Sequence, residues 1–328
     1  MPSKHWKRKL RISVGGTTMN LDDLQTEFQV RCASSQQPDQ AYIRIINLSD
    51  KTSNSIFEQG LSVNIYAGYH EGPYGEIFSG TVNEMRRGKM NGTDKYHDIL
   101  AITGDKAYKY AEVSKSLEKG ATYKDIIMAA VQAMQKMGVE IGHIDDFSSV
   151  KLNKGVTLNW MARDILREAA ETVNGVWTVF NNKLQFIKVD GSAPGSYTIN
   201  GDSGMIGMPE QTLTGINVRI LINPNIRIDQ KVHIDSKSIQ QAMRRTTSYT
   251  DLPLKDIMPG INVDGDYKVI RIDHDGSLLG TEWYTTLTCV AEGKEGIKGS
   301  QNRTITPPRG ITETETGGQG GGGGGGSS

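Results

Sequence analysis

Cysteine is almost absent from this chain of 328 residues: there are two, Cys32 and Cys289. Each sits in an apolar alternating segment, so both read as buried reduced thiols and a disulfide framework is disfavoured. Net charge is absent too, because 37 Lys and Arg balance 37 Asp and Glu. That removes the basic excess of a general nucleic-acid binder. No segment approaches the ~18 consecutive apolar residues of a membrane span. The start, "MPSKHWKRKLRISV", is basic but has no apolar stretch behind it. The expectation is therefore a protein without a secretory signal, made in a cytoplasm and soluble there. His5, His70, His97, His143, His233 and His274 never fall at helical ligand spacing, and no CxxC occurs, which argues against a zinc site. GxSxG, a Walker loop and a strand-borne GxGxxG are all missing. "GGTTMN" precedes a strand rather than a phosphate-binding helix and reads as a turn. Asp22-Asp23 and Asp145-Asp146 are neighbours in loops, better suited to caps or solvated surface than to glycosidase chemistry. The expectation is no enzyme: no catalytic, cofactor-binding or metal residue, and no cofactor.

What is present is period-2 patterning. In "LQTEFQVRCA", Leu24, Thr26, Phe28, Val30 and Cys32 share one parity and charged or amide residues the other, the mark of a half-buried strand. "KLRISVGG" (Leu10, Ile12, Val14) and "GLSVNIYAGY" (Leu61, Val63, Ile65) repeat it. "GEIFSGTVNEMRRG" and "DKYHDILAITG" follow, joined by "KMNGT", whose Asn91-Gly92 signals a tight hairpin. A short helix in "NLSDKTSNSIFEQG", stopped at Gly60, interrupts them. These features predict a small β-barrel or sandwich.

The middle changes period. "ATYKDIIMAAVQAMQKMG" has Thr122 three residues before Asp125, a capping-box variant, with Gly138 at the stop. Ile126, Ile127, Ala130, Val131, Met134 and Met137 line one helical face. A second helix is expected from about Thr157 to Asn174, with Leu158, Met161, Ile165, Leu166, Ala169 and Val173 inward and Gly175 closing it. "VWTVFNNKLQFIKV" predicts a hairpin turning at Asn181-Asn182. Trp160 and Trp177 read as core rather than as a sugar platform. Strands then return in "TGINVRILINP", "DQKVHID", "GDYKVIRIDHD" and "EWYTTLTCVAEG". The glycine-rich end has almost nothing to bury and reads as an extended arm or a linker.

Length alone favours more than one domain. The expected division is residues 1–106 as a first β-barrel, 107–150 as a helical segment of the middle region, 151–205 as a small α+β domain, 206–298 as a second β-barrel and 299–328 as a flexible Gly-rich arm. At one constant offset Val82 falls on Ile270, Gly92 on Gly280, Tyr96 on Tyr284 and Ile102 on Val290. That raises a duplication against chance matching of two hairpins.

Asp273-His274-Asp275-Gly276 resembles a metal or acid/base site at first sight. Neighbouring strand residues point to opposite faces, so three in a row do not converge on one ion, and no glutamate stands where a calcium loop would need it. The triplet reads instead as the start of a hairpin loop. The basic start (Lys4, Lys7, Arg8, Lys9, Arg11) reads as a solvated terminus in preference to a phosphate- or acid-binding patch.

"RIINLSDKTSNSIFEQGLSVNIYAGY…GEIFSGTV", "LINPNIRIDQKVHI" and "GDYKVIRIDHDGSLLGTEWYTTLTC" together resemble the baseplate hub proteins of contractile-tailed bacteriophages (tail hub, or late-control protein D-like, proteins) over residues 8–295. The "LINPNI" stretch of that pattern has a glycine before the next strand; here Asp229-Gln230 stand there. The resemblance implies a mainly β fold, two tube-like β-barrels flanking a small α+β middle region. It implies a homotrimer whose six barrels form a quasi-sixfold ring, adapting a sixfold tail tube to a threefold central spike around a lumen for DNA. Its implied partners are further copies of itself, the tail tube and spike proteins, and also tape-measure and inner baseplate proteins, in a virion assembled in the host cytoplasm. The loops 66–78 and 275–281 are candidates for contact with the next ring, and the glycine-rich arm for reaching the spike. Two alternatives stand beside it: a hub-like chain with cell-wall hydrolase or glycan-binding activity in its middle region, and the hub of a non-viral contractile injection particle.

Overall fold

The computed structural model describes residues 5–21, 24–59, 62–90, 92–212, 215–234 and 265–291. The expectations for Lys4, Asp22-Asp23, Gly60, Leu61, Asn91 and the glycine-rich arm lie outside those residues. The fold is mainly β with an α+β middle.

The first part comprises β1 (Trp6–Val14), β2 (Thr17–Asn20), β3 (Thr26–Ala33), β4 (Gln40–Ile46), helix α1 (Asp50–Gln59), β5 (Ser62–Glu71), β6 (Tyr74–Met90) and β7 (Asp94–Ile102). The expected parity is met on β3, where Thr26, Phe28, Val30 and Cys32 are all buried. Leu10, Ile12 and Val14 do the same on β1. The segment 66–78, expected as a loop, is two paired strands, with Ala67 opposite Gly75 and Gly68 opposite Tyr74. Gly68 permits the closure: its φ is +150° and a Cβ there would lie 2.0 Å from the Pro73 carbonyl oxygen.

The middle region holds α2 (Asp105–Tyr110), β8 (Glu112–Leu117), α3 (Tyr123–Gln135), β9 (Glu140–Ile144), β10 (Val156–Met161), α4 (Ala162–Val173), β11 (Gly175–Phe180) and β12 (Lys183–Lys188). The capping box forms as read: the Asp125 carboxylate accepts the Thr122 N–H at 2.8 Å, and Thr122 Oγ1 accepts the Asp125 N–H at 3.3 Å. The predicted second helix starts later than expected, at Ala162. Val156 and Thr157 are β-branched, and residues 156–161 pair with β8 as a ribbon, Trp160 opposite Val113. Trp160 consequently projects to solvent, 68 % exposed, and the expectation of a core residue is corrected; Trp177 is buried. Asn174, not Gly175, takes the left-handed cap, at φ 49°. Asn181 and Asn182 have φ of 47° and 59°, as a type I′ turn requires, and they join β11 to β12.

The last part comprises β13 (Ala193–Ile199), β14 (Met205–Thr212), β15 (Gly215–Leu221), β16 (Gln230–Ile234), β17 (Asp266–Ser277) and β18 (Trp283–Ala291). The strands of the first and last parts form one sheet in the order β14-β15-β18-β17-β3-β4-β7-β6-β5-β1-β2, with β16 on β17 and β13 on β16. No pairing among the described residues closes either part into a ring. Two apolar clusters hold the fold. One unites both β parts, from Leu10, Ile43 and Phe78 to Val218, Ile272 and Trp283. The other lies in the middle region around Ile127, Leu166, Trp177 and Phe186. Each large side chain so buried contributes about 1.5–3 kcal/mol.

Thr122→Ala removes the side-chain half of the α3 cap without touching the core. It should lower stability by about 1 kcal/mol, read as a reduced denaturation midpoint in urea.

Candidate functional site

The two β parts repeat one plan. Strands β3-β4-β7-β6-β5-β1 of the first correspond, neighbour by neighbour and in chain order, to β14-β15-β18-β17-β16-β13 of the second. The copies differ in detail, because β13 runs parallel to β16 whereas β1 is antiparallel to β5. A bulge fixes the alignment. On β6 it falls between Val82 and Glu84, opposite Ala101 and Leu100; on β17 it falls between Val269 and Arg271, opposite Cys289 and Thr288. The step from Val82 to Val269 equals that from Glu84 to Arg271. It is one position shorter than the step from Ala101 to Cys289 or from Leu100 to Thr288. The constant offset is thus right for Tyr96–Tyr284 and Ile102–Val290 and one position out for Val82–Ile270. The cause is the hairpin connection, three residues long between Met90 and Asp94 in the first copy and four between Ser277 and Glu282, which are bonded N–H to C=O, in the second. A side-chain contact repeats as well. Arg44 lies over the Tyr96 ring at 5.4 Å, and Arg219, at the equivalent place on β15, lies over the equivalent Tyr284 at 4.4 Å.

The copies join along β17 and β3, antiparallel from Arg271–Ala33 to Ser277–Glu27. Asp273, His274 and Asp275 therefore lie inside a strand, not in a hairpin loop, and their side chains diverge. Asp273 and Asp275 share the partly exposed face with Arg31 and Arg271. Arg31 Nη2 meets Asp275 Oδ1 at 2.5 Å, and Arg271 Nε donates to both oxygens of Asp273 at 2.9 and 3.0 Å. Burial raises the Asp273 carboxyl, and Arg271 and Arg31 counter it. His274 points to the other face, buried, with Nδ1 2.7 Å from Thr285 Oγ1. Burial pushes its pKa down to about 3, so the ring stays neutral at physiological pH. Beneath the ladder Phe28 packs edge-on to Trp283 at 5.5 Å and fills the space over Gly276, where a Cβ would fall 2.3 Å from the Phe28 ring.

Arg8 braces the same joint. Its guanidinium donates to the carbonyls of Ser277 and Gly280 at 2.6 Å and Thr281 at 3.2 Å, above the Trp283 ring at 5.5 Å. Lys9 lies 4.4 Å from the Tyr74 ring centroid and Arg11 6.0 Å from that of Tyr66. Arg8, Lys9 and Arg11 are therefore engaged within the molecule, which corrects their reading as part of a solvated terminus, while Lys7 is exposed. Only Leu279 of the 278–281 loop is a prominently exposed apolar residue.

A second feature lies behind the seam. Asp39 accepts the Ala33 N–H through Oδ1 at 3.1 Å, and Asp229, also buried, has neither carboxylate oxygen at hydrogen-bonding geometry. Asp229 has φ 63°, the left-handed backbone that explains why a glycine suits this place. Burial raises its pKa to about 6, only partly offset by Ser34 and Lys268. The Lys268 ammonium donates to the carbonyls of Val189 and Gly191, tying β17 to the end of the middle region. Among the described residues no three His, Cys, Asp or Glu side chains form a metal-binding group, and both cysteines are buried and free. The seam is built from a strand ladder, an ion cluster and a braced loop.

The baseplate hub gp41 family model matches residues 9–242. The chain belongs to that family. Membership makes it a structural component of a phage tail baseplate. No curated protein sequence matches it. Among solved structures, the 43 kDa tail protein of prophage MuSo2 from Shewanella oneidensis superposes with a TM-score of 0.57 at 7% identity, covering 87% of this chain and 97% of that one. A tail protein from Neisseria meningitidis MC58 gives 0.53 at 9%, covering 88% and 98%. The E. coli c3393 protein, described as a component of the type VI secretion system, gives 0.53 at 8%, covering 89% and 79%. At these identities the likeness is one of fold, and it extends over most of the chain.

No single residue reading located the seam. Arg31 bonds to Asp275, 244 positions further along the chain, and only the i, i+2 spacing of Asp273 and Asp275 on one strand face hinted at a cationic partner.

Asp229 supplies a pH test. Its folded pKa lies above its ordinary value, so its contribution is complete below about pH 4 and is lost as pH rises through about 6, on the order of 3 kcal/mol by linkage. Asp229→Asn, which keeps the left-handed preference without the charge, should melt higher than wild type at pH 7.5. The difference should shrink toward pH 4 in a Tm-versus-pH series.

Proposed function

We propose that this chain is the homotrimeric hub of a contractile phage baseplate, three copies presenting six β modules in a quasi-sixfold ring. The ring joins the sixfold tail tube to the threefold spike and leaves a lumen for DNA. The observation that carries this reading is the internal repeat: one chain holds two β modules of matching strand order, already docked side by side through β17 and β3. An adaptor between sixfold and threefold neighbours needs two similar but unequal modules per chain, and the two hairpin loops differ by one residue. In this reading residues 1–106 and 206–298 are the two barrel modules, the second extended by β13 and the first residue of β14 from the stretch before it. Residues 107–150 and the rest of 151–205 decorate the ring, and 299–328 is an arm toward the spike. Tube, spike, tape-measure and inner baseplate proteins are its partners, the virion tail baseplate is its place, and assembly occurs in the host cytoplasm. The work is done by strand pairing and loop contacts, without a catalytic residue.

Light scattering over a dilution series, alone and with tube and spike proteins added, tests the reading. The expected mass is three times the 36.0 kDa of the chain. A species that stays monomeric and unbound with both partners present would overturn it.

A further inference from the structure

Strand β6 outruns its partner. β5 pairs with it only from Tyr74 to Thr81, and beyond the bulge, among the described residues, β6 pairs with β7 alone. Its second half is largely exposed. The equivalent half of β17 is not left so: residues 271–277 pair with β3. The strand equivalent to β3 in the second copy is β14, which pairs on one side with β15 and, among the described residues, has no strand on the other. The internal seam therefore uses one of two equivalent pairs of edges, and among the described residues the other pair is unjoined.

We propose that the β6 edge beyond Val82 binds the outer edge of β14 in a second copy of this chain, antiparallel and in the register of the β17–β3 seam. The proposal deepens the ring reading, on which it rests, by naming the contact between chains. Register follows from the repeat. Arg86 is equivalent to Asp273, Gly88 to Asp275 and Met90 to Ser277 across the first hairpin. On the other side Ile206 is equivalent to Glu27 and Glu210 to Gln29, through their partners on β15 and β4. Transferring the seam sets Met90 opposite Ile206, Gly88 opposite Glu210, and Arg86 opposite the backbone of Thr212.

Backbone parity agrees. In β17 the Ile270 carbonyl accepts from Ser34 and the Leu278 N–H donates to Thr26, so even-numbered residues face β3. Their equivalents on β6 are odd-numbered, and Met85 and Lys89 turn their peptide groups to the open edge. The side chains suit the partner. Ile206 is 39 % exposed on β14 and would cover Met90, and Arg86, on the same face as Gly88, would reach Glu210 on the diagonal. Pro209 and the extra residues between Ile206 and Glu210 break β14 into two short bonding runs. Such interruptions blunt an edge against indiscriminate pairing and leave one register favoured. The contact is head-to-tail, so repetition closes into a ring or runs on as a filament.

Cysteine cross-linking tests it. Met90→Cys and Ile206→Cys sit directly opposite in the proposed ladder, at a separation a disulfide can bridge, and the native Cys32 and Cys289 are buried. Each single variant is first shown to melt like wild type. Mixed and oxidised, the two singles should move from 36.0 kDa to twice that mass on a non-reducing gel, and the double variant should link further copies. Met90→Cys mixed with Thr18→Cys, on the β2 edge, should remain at single-chain mass. A wild type that assembles while the Met90–Ile206 pair stays unlinked would overturn this contact and leave the ring reading standing. Linkage to Thr18 instead would assign the edge to β2. A wild type that never assembles, even with tube and spike proteins, would remove the ring reading and this contact together.

Discussion

The antiparallel ladder between β17 and β3 is the constraint on which the architecture turns. It joins a strand near the start of the chain to one near the end, so it cannot form until the middle region has been traversed. It converts two separate β modules into one continuous sheet with one apolar cluster. Backbone hydrogen bonds alone do not select a register. The register is selected by what flanks them: Phe28 fits only over Gly276, and the Arg31 guanidinium reaches Asp273 and Asp275 only in that alignment. The ion cluster is partly exposed and of modest energetic weight, which suits a role in specifying alignment more than in adding stability.

Local patterning was legible where local physics decides. The parity of Thr26 to Cys32, the Thr122–Asp125 cap and the Asn181-Asn182 turn all follow from residues within one element. The α4 boundary was misplaced because the apolar spacing continues smoothly across Val156–Met161, whereas the ribbon with β8 is a tertiary choice that overrides it. Trp160 follows from the same choice: on the outer ribbon opposite Val113 it faces water.

The seam itself left little trace. Arg8 and Arg31 look like ordinary surface cations until the strands they meet are in place. The side chains of Asp273, His274 and Asp275 diverge as strand geometry dictates, but the triplet was placed in a loop, because a polar run next to a glycine resembles a turn. In the structure that polarity is half buried and answered from β3. Asp229 is the converse case. The departure from glycine was visible, and its meaning became clear only from the left-handed backbone and the enclosed carboxylate.

The unequal hairpin loops have a consequence for anything that meets the modules from that end. The connections between Met90 and Asp94 and between Ser277 and Glu282 are equivalent, but the second is longer, carries the exposed Leu279 and is clamped by Arg8. A circle built by repeating this chain would present long and short loops in alternation around its rim. A partner gripping the long loops would find a handle on every second module, while one resting on the shared strand framework would find a foothold on each. The same surface would thus report two different symmetries, according to whether it is read by its loops or by its ladders.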